Sequence, residues 1–391
     1  MDLEITMSKR LQQLPPYLFA ELDRKKQEIK AQGKDVIDLG VGDPDLPTPD
    51  FIIDELYRAA KDPANHQYPS GAGMMIFREE IANFYKRRFD VTLDPTVEVF
   101  SLIGSKEGIA HMPLGAINPG EVVLVPDPCY PPYKSGTILA GGEMHIMPLT
   151  RENNFLPDYD AIPADILKRA KLMFINYPNN PTGACCDLDF FNKTVRFAKK
   201  HSIIVCHDAS YTEMAYDGYQ APSFLQVEGA RDIGVEFFSL SKQYSMTGWR
   251  IGAVVGNPKI IQLVAKVKAN VDSGAFQAVQ YAGIKALQQG DASVKEYCGK
   301  YKKRRDLVTT ELTKLGFDVP KVKATFYLFV PVPKGYNSTD FCMKLIDEAA
   351  VIVTPGNGFG PHGEGYFRIA LTLGEKRLKE AIERIKTVLN K

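Results

Sequence analysis

Between residues 121 and 257 the chain repeats one alternation: a short apolar run, an amphipathic stretch, then another apolar run. The runs are "EVVLVP", "EMHIMPL", "KLMFINY", "SIIVCHD", "VEFFSL" and "IGAVVGN". Several are apolar almost throughout. A strand covered by helices on both faces reads that way, whereas a half-exposed strand alternates. The intervening segments, such as "LDFFNKTVRFAKKH", carry apolar residues at helical spacing. The pattern predicts an α/β chain with a three-layer α/β/α large domain over residues 49–285 and a mostly parallel central sheet. A long charged helix at about 291–315, followed by strands and helices, predicts a smaller α+β domain over 286–391. Residues 1–48 contain a helical stretch ("YLFAELDRKKQEIKAQG") and a short strand ("VIDLG"), and are expected to join the smaller domain.

In sheets of this kind ligands bind at the carboxyl ends of the strands, and several strand ends here carry reactive side chains. Lys242, in "SLSKQYSMTGWRIG", follows the apolar "GVEFF". A charged amine there is costly, so it is either a paired structural cation or an amine used for covalent chemistry. Gly104, Ser105 and Lys106 precede a helix, whose free N–H groups suit a phosphate; an ordinary helix cap is the alternative, and P-loop spacing is absent. Tyr130 in "DPCYPPY" can present a ring to a flat ligand or simply stabilise a turn. Asn180 in "NNPTG" is a turn former or a donor at the sheet edge. Asp208 ends an apolar strand and requires a cationic partner, structural or bound, with Tyr211 three residues on. Arg368 interrupts the strand "YFRIALT" and requires an anion.

In this order the motifs resemble the fold-type I aminotransferases that use pyridoxal 5′-phosphate (PLP). The resemblance runs from "LGVGDPDLPTP" to "FRIALT", and "NNPTG" with "SLSKQYSMTGWRIG" is its most specific part. It implies Lys242 as the amine that condenses with PLP and moves the substrate α-proton. Asp208 would face the pyridine nitrogen, Asn180 and Tyr211 the phenolic oxygen, and Tyr130 the ring. Ser105, Lys106, Ser239, Ser241 and Arg250 would hold the phosphate. Tyr68, in "HQYPSGAG", would complete that cup from a neighbouring subunit, which implies a homodimer with shared sites. Arg368, helped by the Gly40 backbone and by Tyr130 and Asn180, would hold the substrate.

Within that family the chain is similar to the LL-diaminopimelate aminotransferases in "LPPYLFAELDRKK", "LGVGDPDLPTPDFI", "GSKEGIAH" and "TPGNGFGPHGEGYFRIALT". This similarity implies ping-pong transfer between LL-2,6-diaminopimelate and 2-oxoglutarate, in lysine biosynthesis. Tyr17 and Lys106 are then expected at the distal end of the substrate. One departure stands out: some members carry a glutamate where Met74 and Met75 lie here. Aspartate or alanine transamination, or a carbon–sulfur lyase on the same fold, is the alternative.

Composition removes other classes. The 48 basic and 47 acidic residues nearly cancel, which argues against nucleic acid or an anionic membrane as partner. No basic module is left over for a PLP-binding regulator, and no GxGxxG follows the first strand, as a NAD enzyme requires. The start "MDLEITMSKR" has no apolar core of a leader, so a cytoplasmic location is expected. Cysteines 129, 185, 186, 206, 298 and 342 lack zinc or redox spacing; reduced thiols and no metal are expected.

Overall fold

A computed structural model of the chain describes residues 3, 5–15 and 18–390. Its strands are β1 (Ile37–Asp38), β2 (Val99–Leu102), β3 (Val122–Asp127), β4 (Glu143–Pro148), β5 (Ala170–Asn176) and β6 (Ile204–Asp208). They continue with β7 (Gly234–Ser239), β8 (Gly252–Gly256), β9 (Tyr327–Pro331), β10 (Val351–Ile352), β11 (Thr354–Pro355) and β12 (Tyr366–Ala370). The central sheet has seven strands in the order β2-β8-β7-β6-β5-β3-β4. Only β8 runs against the others, pairing antiparallel with β2 and β7, so the sheet is mostly parallel as expected.

Consecutive strand residues point to opposite faces, and the two faces have separate cores. Phe238, Leu124 and Val255 pack on one side with Phe84, Tyr85 and Phe191. Phe237, Val125 and Val254 pack on the other with Ile109, Tyr133 and Phe174. Every residue of β2, β3, β7 and β8 is buried, which is why those runs are mostly apolar and why their few polar members, such as Asp127 and Glu236, need partners. The helix Leu188–His201 matches its sequence stretch end to end, closed by an Asp187 N-cap and by Ser202 in left-handed conformation.

A second region contains the antiparallel sheet β11-β12-β9, covered by the helices Asp291–Lys314, Ser338–Ala349 and Glu375–Leu389. Its core includes Phe326, Leu328, Phe341, Phe367 and Leu378. The early strand β1 pairs in parallel with β10, Ile37 opposite Val351. That pairing brings Gly40–Asp43 across the face of β12, where Ala370 N–H donates to the Leu39 carbonyl at 2.7 Å.

One polar network ties the three strands that end nearest one another. The buried Glu236 carboxylate on β7 accepts from Tyr85 Oη (2.6 Å), Phe224 N–H (2.9 Å) and Ser223 Oγ (3.0 Å). It also faces His207 Nδ1 at 2.8 Å, while His207 Nε2 faces the Tyr177 carbonyl at 3.0 Å. Both ring nitrogens lie within hydrogen-bond distance of an oxygen. His207 thus braces β6 to β7 and to the end of β5, on the face opposite its neighbour Asp208. Breaking a buried pair on one side costs about 3–5 kcal/mol. Glu236→Ala should therefore lower the melting temperature by several degrees in calorimetry at fixed protein concentration. A shift within about one degree would mean the brace contributes nothing to stability.

Candidate active site

Strands β5, β6 and β7 end side by side, Asn176 opposite Asp208 and Asp208 opposite Phe237. Beyond those ends lies a cavity of about 580 Å³. Its wall combines Asp208 of the large sheet, and Lys242 and Arg250 of the segment between β7 and β8, with Tyr327 and Arg368 of the small sheet and Phe359 of the loop between β11 and β12. Lys242 sits in the turn after β7, its Nζ donating to the Gly42 carbonyl at 2.9 Å. Burial pulls its pKa from the ordinary lysine value down to about 8. Arg368 and Arg250 push the same way, while Asp43 and Asp208 oppose them.

Asp208 forms the floor. Its Oδ2 accepts from Tyr133 Oη at 2.8 Å, and its Oδ1 from Ser210 Oγ at 2.6 Å and Ser210 N–H at 3.2 Å. Burial raises the carboxyl above its ordinary value despite these donors. These donors are hydroxyls and an N–H rather than a cation, so the carboxylate can still accept a cationic group.

At the cavity's other end the helix Ser105–Ala116 begins. Its N-cap is Gly104 and Ser105 is the first helical residue, so the helix starts one position earlier than it would with Ser105 as the cap. Gly104 has φ +89°, and a Cβ there would overlap the Arg250 guanidinium. The glycine therefore lets a fixed cation pack against the positive end of a helix. Ser105 and the hydroxyls of Ser239 and Ser241 line the same cavity, and Ser105 Oγ meets Ser210 Oγ at 3.2 Å. Helix N–H groups, hydroxyls and a guanidinium are the donor set of an oxyanion.

Arg368 is buried on β12. Its Nη2 donates to the Gly40 carbonyl at 2.7 Å and its Nη1 to Asn180 Oδ1 at 2.9 Å. The guanidinium carbon lies 4.2 Å from the Tyr327 ring centroid and 4.7 Å from that of Phe359. Gly40 stands behind the arginine: its N–H bonds Asp38 Oδ1 and its carbonyl also accepts from Thr354 Oγ1. Tyr211 Oη contacts Tyr327 Oη at 2.9 Å, and burial raises the Tyr211 phenol.

Lys106 and Tyr130 line the same cavity, Tyr130 with its ring edge-on to Tyr133. Tyr68 does not: it is 89% exposed and lines a separate surface depression with Phe276 and Gly274. Tyr17 lies outside the described residues. Sequence reasoning missed Tyr133, Ser210, Tyr327 and Phe359. Tyr133 and Ser210 are within three residues of Tyr130 and Asp208, a signal that could have found them; Tyr327 and Phe359 carry no such mark.

Comparison with known proteins agrees with this geometry. The family model "Aminotransferase class I and II" matches residues 34–385, and the chain belongs to that family. The LL-diaminopimelate aminotransferase of Moorella thermoacetica is 54% identical over 384 residues, covering 98% of each chain. That of Syntrophobacter fumaroxidans is 56% identical over 379 residues, 97% of this chain and 98% of its own. Among solved structures, apo-BacF from Bacillus subtilis superimposes with a TM-score of 0.95 at 40% identity, covering 98% of both chains. Among the described residues no helix is long and apolar enough to cross a membrane, and no acid, cysteine or histidine cluster could hold a metal.

The lowered Lys242 value has a measurable consequence. Below about pH 8 folded and unfolded chains both carry this proton, and the folded state bears the full burial penalty. Between about 8 and 10.5 the folded chain has released the proton and the unfolded one has not, so stability rises with pH. In cofactor-free protein Lys242→Met should melt higher than the parent near neutral pH, and the advantage should shrink across that window. An advantage absent near neutrality, or growing with pH, would mean the amine is not desolvated.

Proposed function

We propose that the chain is a PLP-dependent LL-2,6-diaminopimelate:2-oxoglutarate aminotransferase working by ping-pong exchange of the amino group. The observation that carries this reading is the cavity in which a desolvated lysine amine faces a supported buried acid, an oxyanion cradle and a buried guanidinium. The donor set fits PLP. The cradle at Gly104, Ser105, Ser239, Ser241 and Arg250 suits its phosphate, with Lys106 beside it. Asp208 suits a protonated ring nitrogen, and an amine with a value of about 8 is reactive toward an aldehyde near neutrality. When bound, PLP supplies a protonated ring that draws electrons from the substrate α-carbon.

The chain's own residues do the rest. Lys242 is the covalent attachment point and, as the neutral amine, takes the proton from the substrate Cα. Asp208, fixed by Tyr133 and Ser210, holds the ring nitrogen's proton in place. Asn180 has its Oδ1 turned to Arg368, which leaves its NH₂ end and the Tyr211 hydroxyl as donors for the phenolic oxygen. Tyr130, in the same wall, would cover the ring. Arg368 is pinned by Gly40 and Asn180, so its fork can hold a substrate α-carboxylate at a fixed angle and aim the Cα–H bond.

The choice of diaminopimelate rests on the relatives' activity and on a wall that carries both signs of charge. Lys106 and Asp43, the cation and the other acid in the wall, are assigned to the distal carboxylate and ammonium, and Tyr17 is expected at the same end of the substrate. At the departure from the subgroup pattern, Met74 gives its N–H to Gln280 Oε1 at 2.7 Å and Met75 is exposed, so no carboxylate stands there. That departure keeps aspartate or alanine as the second reading. The chain acts as a homodimer in the cytoplasm, with Tyr57, Tyr68, Val271 and Phe276, all exposed in one chain, buried between subunits and Tyr68 reaching the neighbour's phosphate.

An amino-donor panel with 2-oxoglutarate tests this directly. For LL-diaminopimelate, kcat/KM should exceed that for the meso isomer, aspartate, alanine and aromatic amino acids by at least about tenfold, about 1.4 kcal/mol. Faster turnover of aspartate or alanine would select the second reading. Product release without a 2-oxo acid would point to a lyase.

A further inference from the structure

Asp127, the last residue of β3, is a fully buried carboxylate that does not line the active-site cavity. Its Oδ2 accepts from Lys134 Nζ at 2.5 Å. Its Oδ1 accepts from the His362 N–H at 2.9 Å, with His362 Nδ1 3.5 Å away. Lys134 belongs to the helix Pro132–Ala140, packed beside the central sheet. His362 belongs to the loop 356–363, between β11 and β12 of the small sheet. The acid therefore joins the two regions.

Three further contacts converge on the same loop. The Phe359 carbonyl accepts from Cys129 N–H at 3.0 Å and from Lys134 Nζ at 3.5 Å. Gly360 has φ +139°, and a Cβ there would overlap the Asp127 carboxylate. The loop is thus built to sit on the acid with no side chain between. On its other side the Phe359 ring forms cavity wall and packs against the Arg368 guanidinium. Burying a carboxylate is costly without return in pure packing; here the acid fixes where an aromatic wall of the site stands.

We propose that Asp127 is a positioning residue for the substrate carboxylate: through Lys134 and the His362 N–H it seats the 356–363 loop, which holds Phe359 against Arg368. This rests on the reading of Arg368 as the carboxylate grip. A guanidinium packed on the Tyr327 and Phe359 rings keeps its plane, so little order is lost when its fork meets a carboxylate. Lys242 is anchored separately, through the Gly42 carbonyl. Loosening the loop therefore weakens binding of every substrate that presents an α-carboxylate and leaves the proton-transfer group where it is.

The test uses Gly360→Ala and Lys134→Met in the holoenzyme. Each should raise KM for amino donor and 2-oxo acid together by about tenfold, with kcat within about twofold of the parent. The visible absorption of the bound cofactor should stay unchanged, and amide hydrogen exchange at Cys129 and His362 should quicken together. Unchanged KM values in a folded variant whose two amides exchange faster would overturn the proposal. So would a fall in kcat at constant KM, the mark of a merely structural acid. If Gly360→Ala fails to fold, Lys134→Met, which adds no atom to the loop, carries the same comparison. Arg368→Lys separates the two readings. If it leaves both KM values unchanged, the carboxylate assignment fails, while the exchange rates still report whether Asp127 seats the loop.

Discussion

A partly buried lysine amine at the carboxyl edge of the central sheet is the constraint on which the rest of this structure depends. The ammonium form is penalised by burial and by Arg368 and Arg250, while Asp43 and Asp208 favour it. The amine loses its proton far more readily than an exposed lysine would. Three of those neighbours are themselves fixed by other contacts: Arg250 on the Thr247 carbonyl, Arg368 on Gly40 and Asn180, Asp208 on Tyr133 and Ser210. The charges surrounding the lysine are therefore preorganised, and the site's electrostatics follow from how firmly the surrounding backbone is held.

The fold supplies that firmness in two layers. Parallel strands in register bring Asn176, Asp208 and Ser239 to one edge, and the His207–Glu236 network locks the same strands from behind. The small sheet then delivers Arg368 and Tyr327, and the loop between β11 and β12 delivers Phe359, from the other side. Backbone bonds from Leu39 to Ala370, and from Phe359 to Cys129, stitch the N-terminal segment and the loop 356–363 onto that arrangement. The reactive turn is assembled from distant parts of the sequence, and most of its precision comes from residues that touch no substrate.

How much of this can be read from the sequence follows from what each residue does. The apolar runs reveal buried strands because burial on both faces admits little else, so β3, β5, β6 and β7 are legible. The direction of β8 is not: an antiparallel strand covered on both faces has the same composition as a parallel one. "VFSL" of β2 is too short to separate from the turn that follows it. Lys242, Asp208 and Arg368 announce themselves as charges at positions where charge is expensive, and the structure brings all three to one cavity. Tyr327 and Phe359 do not, because an aromatic residue beside a strand reads as core, and only the chain's path turns those rings toward a guanidinium. Asp127 is invisible for a related reason: an acid at a strand end reads as a turn residue until its partners, 7 and 235 residues away, are seen.

The most direct measurement is reductive trapping of the purified protein with borohydride, followed by digestion and mass spectrometry. The expected result is the reduced cofactor's mass on the peptide bearing Lys242 and on no other lysine. A label on Lys106 or any other lysine, or protein that carries no trapped cofactor while remaining active, would contradict the central claim that the desolvated amine at the sheet edge is the reacting group.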